Sequence, residues 1–458
     1  MQTKNQVRNS QRPVGIDLFA GAGGLSLGFE QAGFEIAAAV EIDPIHAATH
    51  KFNFPDCAVI PKSVLGLSST EIRKVANLGN RTIDVVFGGA PCQGFSLIGQ
   101  RALDDPRNAL VREFVRVVVE LDASYFVFEN VKGLTVGRHR QFLVELINAF
   151  WEGGYAVREP WRVLNASQFG VPQDRERLFL LGAKIGLRVP TYPLPTTRSA
   201  GQAAALDGTA IGPSCSDALG DLPDAEDYEE LMESDSVLAA QWRVPSAYAR
   251  ELRCLGNDSW YLGYARDWEP NLLTSSMRTT HTDISRRRFR NTPPGSVEPI
   301  SRFYKLPADG VSNTLRAGTD SARGAFTSPR PIHYELPRCI TVREMARLHG
   351  FPDWFRFHET KWHGARQVGN AVPPPLARAV ANQIRQALGP AVNRPTRVIA
   401  LGEPSLLKMG MAQAAAFWRV PVPIGRRDRK SGATKRKQVE IEALTLRAVQ
   451  GASRGAHT

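Results

Sequence analysis

The sequence predicts an α/β fold, a parallel sheet flanked by helices, with a second, smaller domain of mixed structure. Three observations carry this reading. From Gly15 to about Leu187, short apolar runs alternate with helical periods, the rhythm of βα units. A glycine-rich turn, Gly21, Gly23 and Gly24, joins the first apolar run to the first helical one. The rhythm then breaks at Pro190, Pro193 and Pro195, and residues 196–337 are rich in Gly, Pro, Ser and Arg with no clear period. A length of 458 residues allows two or three domains of about 150 residues each.

Taken in order, the expected strands are Gly15–Phe19, Glu35–Val40, Ile83–Phe87, Tyr125–Phe128 and Leu178–Gly182, each a short apolar run. Helical spacing marks Leu25–Gln31, Ala109–Leu121 and Gln141–Trp151. A helical pattern returns at Val342–His349 and again at Leu376–Leu388. The second is led in by Val372-Pro373-Pro374-Pro375, and proline is tolerated in the first turn of a helix. After Pro390 one further helix, Ser405–Trp418, is expected, and then the run GRRDRKSGATKRK, read as a mobile charged segment.

Composition excludes several classes. Hydrophobic residues make up 43% and charged residues 22%, enough to bury a core. No stretch approaches the roughly 18 apolar residues of a membrane span, and the first dozen residues, MQTKNQVRNSQR, lack the apolar centre of a secretory signal. Five scattered cysteines, Cys57, Cys92, Cys215, Cys254 and Cys339, do not make a disulfide scaffold and fit a reducing compartment. A soluble, cytoplasmic protein is expected. The net charge is +12, and it is clustered. Residues 419–458 hold ten basic against three acidic side chains, and residues 278–330 hold ten against four. Such clusters favour a polyanionic partner. The acidic run Asp221, Asp224, Glu226, Asp227, Glu229, Glu230, Glu233 and Asp235 is expected to face away from it. His358 and His363 lack a metal-binding spacing, so no metal is expected.

The segment DLFAGAGGLSLGFEQAG turns from strand to helix through glycines, which permit positive φ and let a ligand approach a helix N-terminus. Some 20 residues on, Glu41 ends the second strand, where an acid can accept bonds from ribose hydroxyls. The pair points to a nucleoside cofactor. Because the spacing is G-x-G-G and not G-x-G-x-x-G, a nicotinamide dinucleotide is the weaker reading and S-adenosylmethionine a fair rival. DVVFGGAPCQGFS then places Cys92 just after a strand, in a loop that Pro91 stiffens and Gln93-Gly94 tightens. A cysteine there is ordinarily a buried, inert thiol. Against that, FENV brings Glu129 to the same sheet edge, and QFGVPQDRER brings Arg175 and Arg177. A thiol, a carboxyl and a guanidinium on one rim can serve as nucleophile, proton donor and anion stabiliser.

These segments stand in the order DLFAGAGG, VEIDP, GGAPCQGFS, FENV, QFGVPQDRERLF, TVREMARLHGFPDWF and QVGNAVPPPLA. In that order the chain resembles the DNA (cytosine-5)-methyltransferases of bacterial restriction–modification systems. The resemblance implies a Rossmann-like, S-adenosylmethionine-dependent catalytic domain with a smaller target-recognition domain. It implies covalent catalysis by Cys92 on a flipped-out cytosine, with Glu129 at nitrogen 3, Arg177 at the carbonyl oxygen and Arg175 in support. Phe19, Gly21, Gly23, Gly24, Glu41, Pro91 and Asn370 would hold the cofactor. Ser96 and Arg107 would lie on a loop that closes over the base. Two departures concern adenine: Ile42 stands where many members carry tryptophan, and no acid stands near Lys62-Ser63-Val64.

The resemblance also divides the chain. Residues 1–12 would be a flexible arm and 13–190 the catalytic domain, completed by 365–390. Residues 191–337 would be the target-recognition domain, 338–364 a connecting segment and 391–458 a basic tail. In the recognition domain, Arg286, Arg287, Arg288 and Arg290 suit phosphate or guanine contacts, and LRAGTDSARGAF is a second basic candidate. Double-stranded DNA is the expected partner. A cognate restriction endonuclease would share its site without a stable complex, and the protein would act as a monomer. A tRNA methyltransferase shares these motifs, but the long insertion after Pro190 suits duplex recognition better. A regulator that only binds would not need Cys92 and Glu129.

Overall fold

The computed structural model describes residues 12–91, 108–135, 139–199, 209–318, 330–389 and 391–423. Its first part runs β1 (Val14–Leu18), α1 (Gly24–Gln31), β2 (Glu35–Val40), α2 (Pro44–Asn53), β3 (Ala58–Ile60), α3 (Ser69–Val75) and β4 (Val85–Gly88). It continues with α4 (Ala109–Glu120), β5 (Tyr125–Val131), α5 (His139–Glu152), β6 (Tyr155–Val157), β7 (Arg162–Asn165) and β8 (Glu176–Lys184). These eight strands form one sheet in the order β3-β2-β1-β4-β5-β8-β6, with β7 also paired to β8. The five strands from β3 to β5 are parallel. β8 runs antiparallel to β5, and β6 and β7 run antiparallel to β8. The expected strand Leu178–Gly182 therefore exists but does not continue the parallel set. Only a short link joins β7 to β8, whereas a parallel return needs a crossover of a dozen residues or more.

Side chains alternate between the two faces as strand geometry requires. On β5, Tyr125 and Val127 join one apolar cluster while Phe126 and Phe128 join the other, and on β8 Phe179 and Leu181 alternate in the same way with Leu178 and Leu180. One face is covered by α3, α4 and α5 through Ile72, Phe114 and Phe150 among others. The opposite face is covered by α1 and by the C-terminal return.

The chain then passes through short elements. β9 (Thr197–Arg198) pairs with β10 (Ala210–Ile211), and β11 (Val237–Leu238) with β13 (Leu272–Leu273). Between and after them lie α6 (Cys215–Leu219), α7 (Ala247–Leu252), β12 (Ala265–Asp267) and α8 (Asp283–Asn291). The return is built from α9 (Val342–Leu348), α10 (Lys361–Asn370) and α11 (Pro374–Leu388). All eight residues of α1 are buried, and much of its cover is α11. The fit leaves no room for a side chain at Gly28, where a Cβ would lie 2.3 Å from Ala377 Cβ.

Several elements differ from expectation. α2, α3, β3, β6, β7 and α10 are present without an apolar period strong enough to announce them. The expected helix Ser405–Trp418 is split into a 3₁₀ turn (Pro404–Leu407) and α12 (Met411–Trp418), with Gly410 at the α12 N-cap. Beyond 391 the chain stays on the protein as far as it is described, and β14 (Val398–Ala400) pairs in parallel with β12. The GRRDRKSGATKRK run lies outside the described residues. Residues 338–364 are more than a connector: Ile340, Met345, Phe351, Trp354 and Phe355 belong to the same apolar cluster as β4 and β5. Arg12, placed by expectation in a flexible arm, is anchored by bonds to Leu262 O (2.6 Å) and Glu30 O (2.8 Å) and lies over the Tyr264 ring.

Gly28→Ala tests the α1–α11 fit. Helix propensity alone would favour alanine by about 1 kcal/mol, while overpacking costs about 1–3 kcal/mol. A net loss of about 1 kcal/mol in chemical denaturation is expected, and a gain in stability would show that the two helices part freely.

Candidate active site

The sheet order places the site. From β1 the chain moves outward to β2 and β3, then recrosses to β4 on the other side of β1. The switch point therefore lies at the carboxyl ends of β1 and β4, where open α/β sheets hold ligands. The two strand ends approach closely, since a Cβ on Gly88 would stand 2.0 Å from Leu18 O. β1 runs into the glycine-rich turn, where Phe19, Gly21 and Gly23 all adopt positive φ (63°, 56° and 108°). Among the described residues none stands within 4 Å of a Cβ built on Gly21, so they leave this turn open on that side. Glu41, buried at the end of β2, takes the Gly21 N–H on one carboxylate oxygen and the Asp43 N–H on the other, both at 2.8 Å. Burial pushes its carboxyl above the ordinary value. Each oxygen keeps a further lone pair with which to accept a hydroxyl.

The C-terminal return reaches the same turn. A Cβ on Gly24 would meet Val372 O at 2.5 Å, so the chain just after Asn370 packs on the helix entrance. Asn370 is exposed at the end of α10, and Pro91 is exposed beyond β4, at the same sheet edge. Phe19, the three glycines, Glu41, Pro91 and Asn370 thus gather from four separate stretches of chain. Ile42, 55% exposed, is the side chain next to Glu41.

Beside this turn, the last residues of β5 include Glu129 and Asn130. The Asn130 amide donates to Ala90 O at 2.9 Å, tying β5 to the loop that leads into residue 92. A Cβ on Gly89 would lie in contact with Glu129 Oε2, so the carboxyl borders that loop. Arg177, one strand over on β8, pairs with Glu129 at 2.9 Å (Nε to Oε1). Burial raises the Glu129 carboxyl above its ordinary value, against the pull of Arg177 and Arg175. The pair can offer a proton donor next to an anion-binding guanidinium. Cys92, Ser96 and Arg107 lie outside the described residues.

Arg175 does not share that rim. Its side chain is buried, and its guanidinium donates to three carbonyls: Leu315 at 2.8 Å, Gly369 at 2.7 Å and Ala371 at 2.9 Å. Gln173 adds a second tie, with its amide 2.9 Å from His349 Nδ1 and its carbonyl oxygen accepting from Leu315 N. Sequence reading missed this framework, and it also missed a buried polar group behind the glycine turn. There Asp17 on β1 accepts from the Ser26 hydroxyl at 2.6 Å, and Ser26 Oγ lies 3.0 Å from His50 Nε2. The only signal was an acid inside an apolar strand. Burial pushes Asp17 up to about 8 and His50 down to about 3, so both are neutral over much of the range between.

Of the four arginines on α8, Arg287 and Arg290 are exposed. Arg286 is paired with Glu226 (Nη1 to Oε2, 2.9 Å), and Arg288 with Ser285 Oγ at 3.3 Å. The acidic run does not make one outward face. Asp221 pairs internally with Arg347 at 3.0 Å and Asp224 with Arg338 at 3.0 Å, leaving Asp227, Glu229, Glu230 and Glu233 exposed. LRAGTDSARGAF begins at the buried Leu315 and passes out of the described residues after Gly318.

Residues 14–386 match the family described as C-5 cytosine-specific DNA methylase. The type II methyltransferase M.XorII of Xanthomonas oryzae pv. oryzae is 59% identical over 436 residues, covering 95% of this chain and 99% of the relative. M1.HphI of Haemophilus parahaemolyticus is 35% identical over 374 residues, covering 81% and 86%. A crystal structure of a prophage-encoded protein of E. coli, titled as a DNA modification methyltransferase, aligns with a TM-score of 0.65 at 31% identity. That alignment covers 82% of this chain and 100% of the other.

The Asp17 carboxyl holds its proton far better folded than unfolded, so its contribution to stability is complete below about pH 4 and is lost as pH rises through about 8. Asp17→Asn does not titrate. Its stability relative to the parent, measured by denaturation at several pH values, should improve steadily between these limits; a constant difference would refute the buried neutral acid. Arg287→Ala and Arg290→Ala should each weaken duplex DNA binding and lower the salt slope by about 1. Arg286→Ala, which frees Glu226, should change the slope less than either. Equal slopes for all three would show that exposure does not mark the contacts.

Proposed function

The chain belongs to the C-5 cytosine-specific DNA methylase family and is a DNA cytosine-5 methyltransferase, and from that premise we propose how its residues carry the reaction. The substrate is a cytosine within a specific sequence of double-stranded DNA, turned out of the stack so that the ring can be attacked from its face. The observation that carries the reading is the Glu129–Arg177 pair, set against Gly89 in the loop that leads to Cys92.

Carbon 5 of cytosine is a weak nucleophile. The Cys92 thiolate adds to carbon 6, forming an S–C bond, while Glu129 gives a proton or a strong hydrogen bond to nitrogen 3. The electron pair of the former ring double bond then resides at carbon 5. Burial keeps the Glu129 carboxyl ready to donate, and Arg177 both orients it and binds the cytosine carbonyl oxygen. When bound, S-adenosylmethionine supplies an electrophilic methyl group. Once carbon 5 has taken that methyl with its electron pair, loss of the carbon 5 proton to water restores the double bond and expels the Cys92 thiolate. Arg175 acts from behind, holding the frame on which Arg177 stands.

The residues present fit the cofactor. Among the described residues the turn at Gly21 opens onto space, and Glu41 is a fixed carboxylate with lone pairs to spare for ribose hydroxyls. Phe19, Gly23, Gly24, Pro91 and Asn370 complete that edge. Ser96 and Arg107 belong to the loop that closes over the base, and residues 191–337, α8 included, read the target. The biological role is protection of host DNA, in the cytoplasm, from an endonuclease that cuts the same sequence. No stable complex with that enzyme is required, and the chain works as a monomer.

A duplex carrying 5-fluorocytosine at the target position tests the mechanism. Fluorine does not leave as a proton does, so the enzyme should be trapped in an adduct that survives denaturation and needs S-adenosylmethionine to form. Cys92→Ala should abolish adduct and turnover together. Glu129→Gln should slow turnover by about 10²–10⁴-fold while still allowing some trapping. An adduct formed by the alanine variant would overturn the assignment.

A further inference from the structure

The family match ends at residue 386, yet the chain from 398 to 418 is built onto the catalytic domain. After β14, Gly402 donates its N–H to Phe52 O at 2.9 Å, and a Cβ there would lie 2.8 Å from Phe52 Cα. Leu406 and Leu407 form a small apolar cluster with Ala48 and Phe52. Leu407 O accepts from Glu359 N at 3.0 Å, and Met409 O lies 3.1 Å from His358 Nε2. α12 then ends at Trp418, whose indole N–H donates to Pro44 O at 3.1 Å. The segment therefore holds α2 at its last turn, in its middle and at its first residue. A ten-residue helix is about 15 Å long. Held at both ends, it cannot slide along its axis.

The first end of α2 is also an edge of the cofactor site. Asp43 caps the helix through Ile45 N and His46 N and gives its own N–H to Glu41, whose other oxygen takes the Gly21 N–H. We infer that Trp418 is a positioning residue for cofactor binding: it fixes the 41–44 loop and so presents Glu41 already in place. The inference rests on the cofactor reading above. Restraint of this kind acts by removing the ordering cost of binding.

The test uses the full-length protein titrated calorimetrically with S-adenosylhomocysteine, without DNA. Trp418→Phe keeps a six-membered aromatic ring and removes the N–H donor together with the five-membered ring that carries it. Loss of one such bond should raise Kd about fivefold. In turnover, KM for S-adenosylmethionine should rise by the same factor with kcat and KM for DNA unchanged, the pattern of lost uniform binding. Leu406→Ala, at the far end of α2, supplies the contrast, lowering Tm more and cofactor affinity less. Unchanged affinity in Trp418→Phe, or affinity losses in both variants that simply track their Tm, would overturn the inference. Failure of the unaltered protein to bind the probe would overturn the cofactor reading as well.

Discussion

A guanidinium answered by carbonyls organises this molecule. Arg175 is fully buried, and the three oxygens it binds come from Leu315 in the second region and from Gly369 and Ala371 in the return. A charge removed from water is costly unless hydrogen-bonded, and both terminal nitrogens of Arg175 rely on these three carbonyls, so the segments cannot drift apart without stranding it. It stands two residues before Arg177. The strand that carries Arg177 is held to the wall that carries Asn370, so the proposed base-binding edge and the proposed cofactor edge share one frame. Gln173 and His349 reinforce the same seam.

Buried arginines also change how the charge of the chain reads. Counted from sequence, every basic residue seems to belong to the surface. In the structure Arg175, Arg343 and Arg347 are interior, and Arg266 and Arg338 nearly so. Arg266 pairs with Glu30 at 2.8 Å, and Arg347 with Asp353 at 2.6 Å as well as with Asp221. Asp221 and Asp224 of the acidic run thus serve as internal counter-charge. What remains for a polyanion is a narrower set, including Arg287 and Arg290 on α8.

The parts legible in the sequence were those where one local pattern decides the outcome. β1, β2, β5 and α11 show their periods plainly, and the glycines of the turn are required by backbone conformation that sequence can anticipate. Glu41 and Glu129 could be placed because strands end where apolar runs end. The illegible parts depend on partners far away. α10 reads as a weak helix because Gly364 and Gly369 are there for close packing, Gly369 against Ala317, a neighbour no local window contains. β8 looked parallel because nothing within a strand records the direction of its neighbour. Arg175 looked like a second rim arginine because its spacing from Arg177 puts both on one strand approach, and only the fold shows its carbonyl partners.

The packing of α1 against α11 has a consequence for synthesis. Gly28 leaves the ribosome some 350 residues before Ala377, the residue that fills the space above it. At about 5–20 residues per second that gap is roughly 20–70 s. Throughout it, the apolar side chains of α1 have no α11 to cover them, and for most of it the five parallel strands, complete at Val131, are already made. The nascent chain must pass this interval with an uncovered sheet face, so chaperone dependence and aggregation during expression should be governed by the last quarter of the chain to emerge.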